Sequence, residues 1–224
     1  MNTEILQAIE SLCYDIATSA KAEENQKRAN AVLDLAFAGM FTSGESGKDD
    51  AAAVEAEKDK IKIPKPGDRF EYNDVMFTIL GEEQGGVLAI VSETVREEKS
   101  FDDILKNDWR TSPLREYLNG EYLKQFNRGD LLPFVSDLTA DDGMKDYGVA
   151  EDYVFLLSCD LYRKYRESIP HFNSWWWTLT PWTCRPNYTS SVRIVTSSGV
   201  VSESNAYSRY GIAPAVLFNP RVFE

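Results

Sequence analysis

The densest concentration of binding-type side chains lies late in the sequence. Residues 182–210 span 29 positions, 18 of which are Ser, Thr, Asn, Tyr or Arg. Arg185, Arg193 and Arg209 stand against one acid, Glu203, so the stretch carries +2 inside a chain of net charge -12. Tyr and Trp provide large contact area for little lost rotamer freedom, and Ser and Asn adapt their hydrogen bonds to what they meet. Arg, Tyr and Trp also dominate the energy of many interfaces. The chemistry this composition suits is non-covalent recognition. The expected contacts are Trp177, Thr178, Thr180, Trp182, Thr183, Arg185, Asn187, Tyr188, Arg193, Ser202, Ser204, Asn205, Tyr207, Arg209 and Tyr210. Trp182, Arg185, Asn187 and Tyr188 share a loop with Pro181 and Pro186. Ser202, Ser204, Asn205, Tyr207, Arg209 and Tyr210 form a second group, and an antiparallel pairing would bring the two groups to one face. Polar loops between strands are also rich in Ser and Asn for local reasons, so composition is only the first half of the case.

Bond-making chemistry is poorly served. His171 is the only histidine, so a Ser-His-Asp or Cys-His arrangement has one candidate base and no nucleophile-elbow pattern beside it. Two-histidine metal sites are excluded by count. Cys13, Cys159 and Cys184 are odd in number and widely spaced, which reads as reduced thiols with Cys159 buried. Cys184 beside Arg185 has the makings of a reactive thiol if it is exposed. Asp141-Asp142-Gly143 with Asp146 reads as a solvated acidic loop ahead of a calcium site. No catalytic residue, metal ligand or cofactor is expected.

The elements that must position the contact residues follow from periodicity. Ile5, Ile9, Leu12 and Ile16, then Val32, Leu33, Ala36, Phe37 and Met40, mark helical stripes over 1–41. They read equally as a mounting or oligomerising segment and as a piece packed on the main domain. Residues 42–62 are Gly, Ala and charge with little to bury, and read as a linker. From 63 to 224 the texture is that of one α+β domain. Phe70–Leu80 and Val87–Val91 form a hairpin across the 82–86 turn, and Ser112-Pro113 opens a helix over 114–126. Val154–Leu157 is a strand, and Ser158 caps a helix over 160–166. The chain closes with strands at 175–180, 191–197, 199–204 and 213–218. Asp137–Gly148 reads as a polar loop. All five tryptophans lie at or after Trp109. Trp175 and Trp176 are expected in the core, alternating with Trp177, and Val192, Ile194, Val200, Ile212, Ala215, Leu217 and Phe218 are expected as scaffold.

Several blocks occur in one order: Pro66-Gly67-Asp68; Trp109-Arg110-Thr111-Ser112-Pro113-Leu114-Arg115-Glu116-Tyr117-Leu118-Asn119; Asp152 to Ser158; Trp175 to Pro181; Val192 to Val195 with Ser198-Gly199-Val200; and Tyr210-Gly211-Ile212-Ala213-Pro214-Ala215. The ordered set, over about residues 64–220, resembles a bacterial and phage family of domains similar to a branch of the C-type-lectin fold shared with formylglycine-generating enzymes. Two arginines of the common pattern are absent, because Thr178-Leu179-Thr180-Pro181 and Ile212-Ala213-Pro214-Ala215 stand in their places. The resemblance implies a C-type-lectin-like fold with a separate N-terminal helical segment. It also implies kinship with the variable proteins of diversity-generating retroelements, which include phage receptor-binding proteins. Copper-dependent formylglycine chemistry would need a cysteine pair near the C-terminus, where Cys184 stands alone.

The expectation is therefore a non-enzymatic ligand- or receptor-binding protein of phage or prophage origin, its partner a protein or glycan on a cell surface. The alternatives are a formylglycine-generating-type enzyme and a structural virion or scaffold protein. A chain of charge -12 is repelled by phosphate backbones, which argues against nucleic acid. Met1-Asn2-Thr3-Glu4 lacks a secretory pattern and no run approaches a membrane span. Synthesis in the cytoplasm is expected, followed by virion association or surface display, with oligomerisation through the N-terminal helices.

Overall fold

The computed structural model describes residues 63–224. The expected helical segment, the linker and Cys13 lie outside the described residues. In chain order the strands are β1 (Arg69–Tyr72), β2 (Val75–Glu83), β3 (Gly86–Val91), β4 (Val95–Ser100), β5 (Leu131–Leu132), β6 (Phe134–Asp137), β7 (Val149–Asp152), β8 (Val154–Leu156), β9 (Trp176–Pro181), β10 (Ser191–Val195), β11 (Val201–Asn205), β12 (Arg209–Ile212) and β13 (Pro214–Phe218). Among the described residues two short α-helices, α1 (Pro113–Asn119) and α2 (Cys159–Lys164), complete an α+β arrangement that is mostly sheet.

The first sheet runs β1-β2-β3-β13-β5, with β8 also on β13. The expected strand over 70–80 is two strands. Asn73 and Asp74 between them have φ of 48° and 64°, and Gln84 and Gly85 between β2 and β3 have 43° and 81°. Successive positive φ values match the right-handed twist of paired strands, so both connections are tight hairpins. β13 is buried along its whole length, with β3 on one side and β5 and β8 on the other. Gly86 permits that close packing: a Cβ there would lie 2.6 Å from Leu217 Cγ and 2.8 Å from the Phe218 carbonyl.

Ser112 caps α1 by accepting from the amides of Leu114 and Arg115, with Pro113 at the first helical position. The helix ends at Gly120 and does not run on to Phe126 as expected; Tyr122–Gln125 is a separate 3-10 turn. Glycine loses more backbone entropy in a helix than any other residue, which makes it the natural break. α2 is capped by Ser158, which accepts from the Leu161 amide at 3.1 Å, and it starts one residue earlier and ends two earlier than expected.

The second sheet runs β11-β10-β9-β12-β4. All its pairings are antiparallel except β9 with β12, where Gly211 lies beside Trp176. β4 was not expected; its sequence, VREEKS, offers no apolar alternation. β6 and β7 pair with each other and flank the expected polar loop Asp137–Gly148, of which only Asp137 is drawn into a strand. An aromatic core joins Phe70, Tyr72, Phe77, Phe126 and Phe218 within 6.3 Å of one another in successive pairs. Phe101 bridges Trp109 and Trp177 at 5.7 and 5.8 Å. The Trp109 indole donates to buried Asp152 at 2.9 Å, and the Arg115 guanidinium donates to the same carboxylate at 2.8 Å.

Candidate functional site

β9 lies between β10 and β12, and every one of its residues is buried. No outward face remains to alternate with, so Trp176 and Trp177 are both core. Trp177, Thr178, Thr180 and Thr183, expected as ligand contacts, are corrected to framework residues. The Trp177 indole donates to the Lys99 carbonyl at 2.9 Å, and the Thr178 hydroxyl to the Arg193 carbonyl at 2.7 Å. The Thr180 hydroxyl oxygen accepts from the Cys159 amide at 2.9 Å, and that of Thr183 from the Arg185 amide at 3.1 Å. Buried polar groups that already have protein partners give no reason for a ligand to reach them.

Beyond Pro181 the chain leaves the sheet, and residues 182–190 form a loop that returns at Ser191. In the β10–β11 register Ser191 faces Asn205, and Val192 faces both Ser204 and Pro181. The loop 182–190 and the shorter turn 206–208 therefore emerge at the same end of the sheet. The Ala206 amide donates to the Ser190 carbonyl at 2.8 Å, and the Ala206 carbonyl accepts from Phe101 and Asp102 at 2.9 and 3.1 Å. Ala206 is fully buried while its neighbour Tyr207 is 56% exposed. Tyr188 is 54% and Trp182 38% exposed. Arg185, Asn187, Asn205 and Arg209 are exposed with them. The Arg185 guanidinium sits 5.6 Å over the Tyr188 ring, a cation–π arrangement that fixes two contact groups together. Asn187 takes φ 70° at the tip, which asparagine tolerates better than most residues.

A buried asparagine that sequence reading missed holds this loop. Asn107 has no exposed surface. Its side-chain amide donates to the carbonyls of Thr183 and Ser191, both at 2.9 Å, and its amide oxygen accepts from the Tyr147 hydroxyl at 2.8 Å. Its backbone amide donates to the Thr189 carbonyl at 2.8 Å. Its polar groups span both ends of the loop. Nothing in the local sequence distinguishes this asparagine from a surface one.

The remaining expected contacts divide. Ser202, Ser204 and Tyr210 are half-buried. The Ser204 and Tyr210 hydroxyl oxygens lie 3.0 Å apart, and the Tyr210 ring lies 5.6 Å from Trp175 and 5.0 Å from Trp177. Trp175, expected in the core, is 44% exposed; it precedes β9, at the opposite end of that strand from Pro181 and the loop. Gly211 brings β12 close to it: a Cβ at 211 would meet the Ser174 hydroxyl oxygen at 2.8 Å and the Trp175 carbonyl at 3.0 Å. Arg193 is half-buried, and its Nε has no hydrogen-bond partner among the described residues. It bonds Asp141 at 2.7 Å, and Arg163 shares that carboxylate at 3.2 Å. Val200, expected as scaffold, is 59% exposed.

His171 is exposed at the rim of a hollow of 590 Å³ and makes no hydrogen bond among the described residues. Cys159 and Cys184 are free and buried, and burial pushes both thiols up from their ordinary value. The reactive reading of Cys184 is thereby corrected. Among the described residues no cluster of three or more His, Cys, Asp or Glu is placed to hold a metal ion. No described helix is long and apolar enough to cross a membrane. No family model matches the chain, and neither a curated protein nor a solved structure matches it.

Proposed function

We propose that this chain is a non-enzymatic binding protein whose contact surface is the loop 182–190 together with the turn 206–208. One observation carries the reading. Trp182, Arg185, Asn187, Tyr188, Asn205, Tyr207 and Arg209 are exposed at one end of a sheet whose interior is fully packed, and buried Asn107 fixes the loop that bears four of them. Exposed aromatic side chains on a rigid base lose little freedom on binding, which is how preorganised surfaces gain affinity. The proposed fold is C-type-lectin-like. Two larger sheets and a C-terminal strand, β13, paired beside the β2–β3 hairpin support it. The resemblance of the ordered sequence blocks suggests receptor binding in a phage or prophage particle, with a protein or glycan of a cell surface as the ligand.

The test uses the full chain, labelled and incubated with whole bacterial cells and with a glycan array. Trp182→Ala, Tyr188→Ala and Tyr207→Ala are each expected to weaken binding by about 10- to 30-fold, the loss typical of an interface aromatic. Their melting temperatures should stay close to that of the unchanged chain. Binding that survives the triple variant overturns the assignment.

A further inference from the structure

A separate cleft of 580 Å³ opens beside β9, where Thr180 lines it. Its walls are β6, the residues from Thr139 to Gly143, the start of α2 and the β2–β3 turn at Glu83 and Gln84, with Cys159 and Thr180 among the lining groups. Ser136 of β6 lines it, is 2% exposed, and its hydroxyl has no hydrogen-bond partner. A buried hydroxyl without a partner is uncommon in folded proteins and costs free energy wherever it occurs. The other lining hydroxyls are all engaged: Thr139 donates to Asp137, Ser158 accepts from the Leu161 amide, and Thr180 accepts from the Cys159 amide.

The lining charges are engaged as well. Lys164 and the Tyr165 hydroxyl hold Glu83. Arg163 bonds both Asp160 and Asp141, and Arg193 takes the second oxygen of Asp141. Asp137 accepts from the Thr139 amide at 2.8 Å and its hydroxyl at 2.6 Å. A charged ligand would have to break one of these pairs, and desolvating a charge without an equal replacement is unfavourable. Phe134, Ala140 and Leu161 supply apolar wall between the polar groups. The volume falls in the range of small-molecule sites, which combine apolar lining with a few directed polar groups.

We propose that this cleft binds a small neutral molecule bearing hydroxyl or amide groups, with the Ser136 hydroxyl as its hydrogen-bond anchor. The site shares no residue with the contact loops and stands on its own observations.

The test titrates the full-length chain, isotopically labelled, with myo-inositol, glucose and acetamide as neutral probes and with inorganic phosphate and ethylammonium as charged ones. At least one neutral probe is expected to produce saturable shifts in the amides of Ser136, Ala140, Cys159 and Leu161, and the charged probes none. Ser136→Ala should weaken that binding by about tenfold, the loss of one neutral hydrogen bond. Its melting temperature should hold or rise, because an unpartnered buried hydroxyl has been removed. In the unchanged chain the bound probe should also slow methyl methanethiosulfonate labelling of Cys159, read by peptide mass mapping. Saturable shifts from no neutral probe, shifts from charged probes alone, or undiminished binding by Ser136→Ala would each overturn the proposal. A lower melting temperature with unchanged affinity would mark the hydroxyl as merely structural and overturn it equally.

Discussion

Asn107 donates from one side-chain amide to the carbonyls of both Thr183 and Ser191, at 2.9 Å each. Those carbonyls stand at the two ends of the contact loop, so one buried group sets its width. Asn107→Ala removes two donated bonds and leaves the Tyr147 hydroxyl without its acceptor. The expected destabilisation is about 3 kcal/mol, since buried groups deprived of partners each cost about 1–3 kcal/mol. Chemical denaturation measures it. The same variant should lose cell-surface affinity although Asn107 has no exposed surface, and Asn107→Asp should do likewise, because a carboxylate cannot donate.

Buried and exposed aromatics of the same segment should separate stability from binding. Trp177→Ala opens a cavity at the centre of the second sheet and is expected to cost about 3–5 kcal/mol. Tyr207→Ala removes a side chain that is mostly in water and should change stability by under about 0.5 kcal/mol. Denaturation midpoints and binding isotherms on the two variants give the comparison. The opposite pattern, with Tyr207→Ala unstable and Trp177→Ala defective only in binding, would reverse the assignment of roles.

These two residues also mark what the sequence disclosed. The exposure of Tyr207, Tyr188 and Trp182 was legible because large aromatics among Ser, Asn and Arg have little apolar company to bury them. Trp177 was misread because a six-residue run flanked by polar loops suggests an edge or half-buried strand, whereas β9 has neighbours on both sides. Trp175 was misread in the other direction, one residue outside that strand. The hairpin β2–β3 and the cap at Ser112 were legible from turn and capping residues alone. β4 was not, since its charged sequence becomes a strand only by pairing with β12. Asn107 and Ser136 were invisible for a related reason: their roles depend on partners 40 to 84 residues away, or on the absence of any.

The two described cysteines should resist modification. Burial pushes the Cys159 thiol up, the hydroxyls of Thr178 and Thr180 opposing it only in part. Burial likewise pushes up Cys184, and Asp146, Asp142 and Asp108 add to the effect. The thiolate is the reactive form. Iodoacetamide should therefore label both sites slowly in the native chain at pH 7.5 and rapidly in urea. Native labelling should climb as the pH passes the ordinary thiol range. Peptide mass mapping across a pH series gives the rates, and fast labelling of Cys184 at neutral pH would contradict its buried placement.

Tyr147 ties the loop staple to alkaline pH. Burial, with the nearby Cys184 and Asp108 contributing, pushes its phenol up to about 12. In the unfolded chain a tyrosine ionises near its ordinary value of about 10. The folded state thus holds the proton more tightly, and the contribution to stability is complete below pH 10 and lost as pH climbs through the folded value. Tyr147→Phe removes both the titration and the bond to Asn107. At pH 8 the unchanged chain should be the more stable by about 1 kcal/mol, the worth of one hydrogen bond. Above pH 10 that advantage should shrink, and near pH 12 it should invert. Tyr122, also raised to about 12 by burial, is present in both chains and cancels from the difference. Urea denaturation of the pair from pH 8 to 12 supplies the measurement, and a gap that stays constant across that range would show that Tyr147 does not hold its proton through the folded state.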